Sequence, residues 1–289
     1  MKKWKGYLGS KLALNVLLFL TCFILIERLC HLVTDGFSML RIYPPFQVDA
    51  FFDPSPPTHE IYKQLDQPYR YLGSGSQSFA FLSEDGQYVL KFFKLKTGYW
   101  RLPSLSRSQR RQESFITAFN SCLIHASTFK NESGVLYCHL KASKHNLPTV
   151  TLIDRNRRLL SLDLSTLPFV LQKYAEPVDQ RLLRYKMAND RKSAEQTIDQ
   201  LFGLLLKRYH LGLSDRDPNL ITNFGFIDDQ VVSIDVGGLV KNRQNLKTYF
   251  YDHEILKAKN KCNRWLFKHH PELVDHVEKI VEDIISSER

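Results

Sequence analysis

The run Tyr209-His210-Leu211-Gly212-Leu213-Ser214-Asp215-Arg216-Asp217-Pro218-Asn219-Leu220-Ile221, joined by a short segment to Val231-Val232-Ser233-Ile234-Asp235-Val236-Gly237-Gly238, carries the most structural information in this 289-residue chain. The first part follows a helical pattern that stops at Gly212, a residue suited to a helix C-terminus. The second begins as a buried strand and breaks at an aspartate followed by glycines. Carboxylates at such loop ends can hold Mg²⁺, which takes oxygen ligands and few of them from protein. A carboxylate beside a metal-held phosphate can also position or deprotonate a hydroxyl. Asp-Pro-Asn is equally good turn chemistry, so the pair reads both ways.

Working upstream, Ile198, Leu201, Phe202, Leu205 and Tyr209 make one apolar helix face. Phe169–Lys173, Leu159–Leu164 and Thr149–Ile153 read as strands, the last two joined by a hairpin at Asp154-Arg155-Asn156-Arg157-Arg158. Phe115, Ile116, Phe119, Leu123 and Ile124 recur at helical spacing and predict a helix over about 104–127. Three strands precede it, at Tyr69–Gly73, Phe79–Ser83 and Tyr88–Phe93, the last two around a Glu84-Asp85-Gly86 turn. Downstream, Phe224–Ile227 and Val231–Ile234 are short strands, and a final helix starts near Pro271. Strands first and helices second predict an α+β chain of two lobes.

Two further features carry chemistry. Leu72-Gly73-Ser74-Gly75-Ser76-Gln77-Ser78-Phe79 lies between strands, and glycines there let backbone N–H groups approach a phosphate; an ordinary hairpin turn has the same look. Lys91 sits on a strand between Val89-Leu90 and Phe92-Phe93. If buried, it needs an anion: a nucleotide phosphate, or Glu113 on the next helix. On a half-exposed strand it would face solvent.

Glycine loop, strand lysine, helix glutamate, Asp215 loop and Asp-x-Gly at a strand end, in this order over about residues 69–240, resemble the protein-kinase-like superfamily. The resemblance implies a two-lobed fold and ATP and Mg²⁺ as cofactors. Gly73 and Gly75 would cover the phosphates, Lys91 would hold them, and Glu113 would orient Lys91. Gln172-Lys173-Tyr174-Ala175 would be the adenine hinge, with Lys173 and Tyr174 touching the nucleotide. Asp215 would be the catalytic base and Asp235 the main metal ligand. Asn219 would be the second ligand, with Asn223 its rival, because Asp215 to Asn219 is one residue shorter than the family's usual spacing. The sequence departs elsewhere too: Leu213 where protein kinases usually carry His, Asp-Val-Gly for Asp-Phe-Gly, and no Ala-Pro-Glu after Gly238. About 50 residues follow Gly238, too few for the large helical lobe of a protein kinase, so a reduced one is expected. The shrinkage looks more like small-molecule, sugar or lipid kinases of the superfamily, or a pseudokinase that binds nucleotide or a partner without turnover. The phosphoacceptor is not readable.

The N-terminus is a membrane signal. Leu12 to Ile26 is apolar apart from Asn15 and Thr21, and Leu29, Leu32 and Val33 extend a weaker apolar face. Fifteen helical residues span ~22 Å against a ~30 Å hydrocarbon core, which flanking Trp4, Tyr7 and Lys11 help to match. No small-residue cleavage site follows, so an uncleaved anchor at 12–33 is favoured over a signal peptide or a core helix. Lys2, Lys3, Lys5 and Lys11 in the basic flank 1–11 predict a cytosolic N-terminus and an exported body. Pro44, Pro45, Pro54, Pro56 and Pro57 predict a stiff linker over 34–59, followed by a β-rich lobe at 60–175 and a helical lobe at 176–289.

Composition bounds the rest. The net charge is +10, and the part beyond residue 33 is still +6, which favours an anionic partner without choosing one. There is no specific nucleic-acid signature. Five cysteines exclude a disulfide scaffold. Arg107, Arg110 and Arg111 form a basic cluster that reads as a solvated helix face or a phosphate or membrane contact. Asp215-Arg216-Asp217 as a glycosyltransferase D-x-D, His269-His270 as metal ligands, and Asn131-Glu132-Ser133 as a glycosylation sequon are weaker readings.

Overall fold

The computed structural model describes residues 2–43, 56–94, 105–142, 146–215, 217–241 and 248–287. Pro44, Pro45, Pro54 and Arg216 lie outside them, as do the side chains of Lys2, Lys3, Lys5, Lys11, Arg107, Arg110 and Arg111.

Helix α1 (Lys2–Thr34) is continuous, and its stretch Leu14–Thr34 is 21 residues of mean hydropathy 2.2 with none of it buried. It is long and apolar enough to cross a membrane. The chain then reverses on two residues of left-handed backbone, Asp35 and Gly36. Gly36 is needed for space as well as for φ, since a Cβ there would stand 2.7 Å from both His31 and Arg41. Residues 35–43, the start of the expected linker, are folded onto the sheet. Phe37 and Ile42 are buried, Phe37 meets Phe79 and Phe81 edge-on at 5.2 Å each, and Tyr71 donates to Asp35 at 2.7 Å.

After α2 (His59–Leu65), capped by Thr58, seven strands form one sheet. They are β1 (Tyr69–Ser74), β2 (Ser78–Ser83), β3 (Tyr88–Phe93), β4 (Val135–His139), β5 (Thr149–Ile153), β6 (Leu159–Asp163) and β7 (Phe169–Lys173), in spatial order β4-β7-β3-β2-β1-β5-β6. All neighbours are antiparallel except β1 and β5. Strand periodicity sorts the faces. Leu90 and Phe92 join the core under α2 and Phe37, whereas Phe93 packs on the opposite face against α3 (Leu105–Ala126). There Phe93 lies 4.8 Å from Phe119, an edge-to-face pair.

The second half begins with β8 (Glu176–Pro177) and helices α4 (Val178–Met187) and α5 (Arg191–His210). Asp190 caps α5, and Gly212 follows it at φ +67°. Short strands β9 (Leu213–Asp215), β10 (Phe224–Ile227), β11 (Gln230–Ser233) and β12 (Leu239–Lys241) come next, then α6 (Thr248–His269) and α7 (Val274–Ser287). A single apolar core joins α4 to α7 through Leu182, Ile198, Phe202, Leu205, Ile255 and Val277. The architecture is mixed α+β: a large sheet with α3 on one face, and a separate helical core.

Candidate active site

Four segments converge where the sheet meets the helical core. The first is β3. Alternation turns Lys91 to the α3 face, and its ammonium donates to the carbonyl of Ile234, at the end of β11. Burial pulls the Lys91 pKa down to about 8, with the Asp235 carboxylate opposing that shift. A desolvated cation with one carbonyl and one carboxylate for company is a site with room for more negative charge.

The second segment is the loop after β11. Asp235 Oδ1 accepts from Gly237 N at 3.0 Å, and both Ile234 N and Asp235 N donate to the Asn223 carbonyl. From α3, Cys122 Sγ donates to Val236 O at 3.6 Å and Ser121 Oγ accepts from Leu239 N at 2.9 Å. Burial raises the Cys122 thiol pKa well above its usual value, so this cysteine acts as a small apolar residue.

The third is the glycine segment. Gly75 N donates to Ser78 O at 2.9 Å, and Lys94 reaches back to Ser74 Oγ and the Gly75 carbonyl. Gln77 extends across to Gly237, where an added Cβ would fall 2.1 Å from Gln77 Oε1. The tip thus rests on the Asp235 loop, on a glycine small enough to accept it.

The fourth is β9, which pairs antiparallel with β12, Asp215 opposite Leu239. The Asp215 carboxylate sits over Gly238, where a Cβ would meet it at 2.4 Å. Its oxygens accept from Asp217 N at 2.9 Å and from Arg208 at 3.2 Å. Arg208 is almost fully buried and also pairs with Glu254 of α6, which in turn accepts from Asp215 N at 3.2 Å. Burial raises the Glu254 pKa while Arg208 opposes it.

The remaining expected residues are placed as follows. Glu113 is exposed on α3, and among the described residues no ion pair joins it to Lys91. Asn219 spends its side-chain oxygen on Ile221 N at 3.2 Å, and Asn223 holds Thr222 and Asp217. At the expected hinge, Lys173 N donates to Gly134 O and Tyr174 N to Gln87 O, so both N–H groups are engaged within the chain. Gln172 is buried and donates to the Ser133 and Ser233 carbonyls, tying β7 to β11. Next to it His125, packed beneath Ser233, is held neutral: burial lowers its pKa to about 4. Among the described residues no cluster of three metal-ligating side chains occurs. An open groove of about 490 Å³ between α3 and β12, lined by Thr117, Asn120, Leu123 and Lys241, includes none of Lys91, Asp215 or Asp235.

Arg208, Glu254 and Gln77 were not singled out by sequence. Arg208 had a signal: it lies seven residues after Leu201 and three after Leu205, on the buried face of α5, where an arginine requires acidic partners.

No family model and no curated protein matches the sequence. Similar solved structures include a co-crystal structure of WbdD with the kinase inhibitor LY294002, at 16% identity and a TM-score of 0.36, covering 76% of this chain and 50% of that one. A structure of WbdD described as a bifunctional kinase-methyltransferase is 15% identical at the same TM-score, covering 73% and 47%. The chain spans about half the length of these structures.

Proposed function

We propose that this chain is a membrane-anchored phosphotransferase of kinase-like fold, using ATP with Mg²⁺ to phosphorylate a hydroxyl acceptor. The observation that carries the reading is that Lys91 of the sheet lies within electrostatic reach of Asp235, while Asp215 sits against Gly238 of the same loop, beside a glycine segment. Lysine on the third strand and an Asp-x-Gly acid within its electrostatic reach are the arrangement kinases use for a nucleotide's phosphates. Lys91 binds phosphate oxygens, and the segment Gly73 to Gln77 closes over them. Asp235 with one amide oxygen, from Asn219 or Asn223, suits Mg²⁺, which needs only one or two protein ligands when phosphates supply the rest. Bound ATP supplies the γ-phosphoryl group, and Mg²⁺ neutralises its charge. Asp215 aligns the acceptor hydroxyl and takes its proton, once the carboxylate turns from Asp217 N. Helix α1, ~31 Å over its apolar 21 residues, crosses the bilayer, and its lysine-rich start keeps the N-terminus cytosolic.

The test is thermal unfolding of the full chain in detergent with ATP, with and without Mg²⁺. Metal-dependent stabilisation, about 2.7 kcal/mol at a hundredfold excess over Kd, is expected and should vanish in Asp235→Ala. No shift in either condition sinks the reading.

A second reading, a nucleotide-binding pseudokinase, is favoured by the engagement of Asp215 with Arg208 and of Asn219 with its own turn. It predicts the same thermal shift but no phosphate transfer to water or to any supplied hydroxyl acceptor. The enzyme reading predicts transfer that Asp215→Asn abolishes while the nucleotide shift survives.

A further inference from the structure

Because β1 and β5 run parallel as neighbours, with Tyr69 beside Leu152 and Arg70 beside Ile153, the turns that follow them lie at the same end of the sheet. One is the glycine segment. The other is Asp154-Arg155-Asn156-Arg157-Arg158. The exit of α1 is at this end too: Arg155 donates to the Leu32 carbonyl at 3.3 Å, two residues (~3 Å) before the helix stops.

This turn is rigid and strongly basic. Asp154 is buried, and its Oδ1 accepts from Asn156 N at 2.8 Å and Arg158 N at 2.9 Å, while Oδ2 pairs with Arg158 at 2.7 Å. Arg157 stands at φ +64°, and its N–H donates to the Asp154 carbonyl at 2.9 Å. Asp154 therefore neutralises Arg158 only. Arg155 and Arg157 are exposed and, among the described residues, pair with no acid. Asp35, the other acid near the helix exit, is engaged by Tyr71. Two large apolar side chains flank the bases: Leu32 is 71% exposed and Leu159 72%, a pattern of bases and leucines that suits the boundary between headgroups and acyl chains.

We infer that the β5–β6 turn binds anionic lipid headgroups of the leaflet from which α1 emerges. Arg155 and Arg157 engage lipid phosphates, and Leu32 and Leu159 enter the interface beside them. The inference rests on α1 crossing the bilayer. Helix placement sets the height, since a side chain bonded to the last turn of a spanning helix stands at headgroup level.

The test uses the full chain in vesicles of equal phosphatidylcholine and phosphatidylglycerol, with a benzoylphenylalanine photo-cross-linker at Asn156, an exposed side chain at the tip of the turn. Flotation after alkaline extraction reads the anchor separately. The expected result is a floating chain whose lipid adducts favour phosphatidylglycerol by at least about fivefold, as one base near the surface would give. R155Q/R157Q, with unchanged melting temperature, should still float but return the adduct ratio to that of the bulk lipid. Inorganic phosphate should leave the ratio where a chloride control of the same ionic strength leaves it. Equal labelling of the two lipids, a ratio indifferent to R155Q/R157Q, or competition by inorganic phosphate overturns the headgroup site while leaving the anchor standing. A chain that fails to float overturns both.

Discussion

The two sides of the cleft treat their charges in opposite ways. On the sheet side, Lys91 is desolvated, donates to one carbonyl and feels one neighbouring acid, and the glycine segment above it is held by Gly75 N on Ser78 O, by Lys94 and by Gln77 resting on Gly237. On the helical side, Asp215 is fixed from every direction by Asp217 N, Arg208, the β12 ribbon and, through its own N–H, Glu254. An under-partnered cation costs the fold stability, and on the proposed reading an incoming anion would offset that cost. A fully partnered anion is part of the scaffold as it stands. The sheet side therefore leaves its charge under-partnered, and on the helical side the Asp215 carboxylate must leave Asp217 N before it can serve as a base.

The sharpest challenge to that contrast is Arg208→Met. It leaves Asp215 and Glu254 facing each other without their shared cation, and should lower unfolding free energy by about 3–5 kcal/mol in denaturant melts. A loss below about 1 kcal/mol would mean the helical side is not held by this pair. Next comes acid sensitivity. His125 has a folded pKa of about 4, below its unfolded value, so it contributes stability above about pH 6.5 that disappears as pH falls towards 4. His125→Gln should flatten the stability profile in that window, by roughly 2–3 kcal/mol at most. A profile as steep as that of the parent chain would place the acid-labile group elsewhere.

Smaller effects separate adjacent glycines. Gly238→Ala pushes on a carboxylate that Arg208 holds and should cost about 1–3 kcal/mol, whereas Gly237→Ala displaces only the mobile end of Gln77 and should cost less than about 1 kcal/mol. Equal costs would erase the difference between the sides. Last, Lys91→Met should stabilise the nucleotide-free chain at pH 7 by roughly 1–2 kcal/mol, because it removes a cation that the fold desolvates. The sign follows from the depressed pKa: the parent chain gains stability from this group as pH rises from about 8 towards 10.5, so the advantage of the variant should shrink over that range. An advantage constant with pH would show Lys91 to be well solvated.

Periodic and turn-bounded elements were legible from residues alone. The strands β1 to β3, the helix now seen at Leu105–Ala126, the 154–158 hairpin and the end of α5 at Gly212 all sit where local pattern put them, because alternation and glycine act within a few residues. The start of the expected linker did not read correctly, since nothing local marks Phe37 and Ile42 as core; their partners lie about forty residues on, in β1 and β2. Helix α6 was missed for a related reason: its lysines and asparagines mask the buried line Ile255, Ala258, Cys262 and Leu266. Asp215, Asp235 and Lys91 were singled out by type and order, but the engagement of Asp215 was not legible. It depends on Glu254 from a helix that composition concealed.

The left-handed pair Asp35-Gly36, with Phe37 already in the sheet core, has a mechanical consequence. A tether of loose chain would let the folded body sample a hemisphere of orientations. Here the body follows the helix without a swivel, so with α1 in a bilayer the tilt of that helix would set how the glycine segment faces the surface.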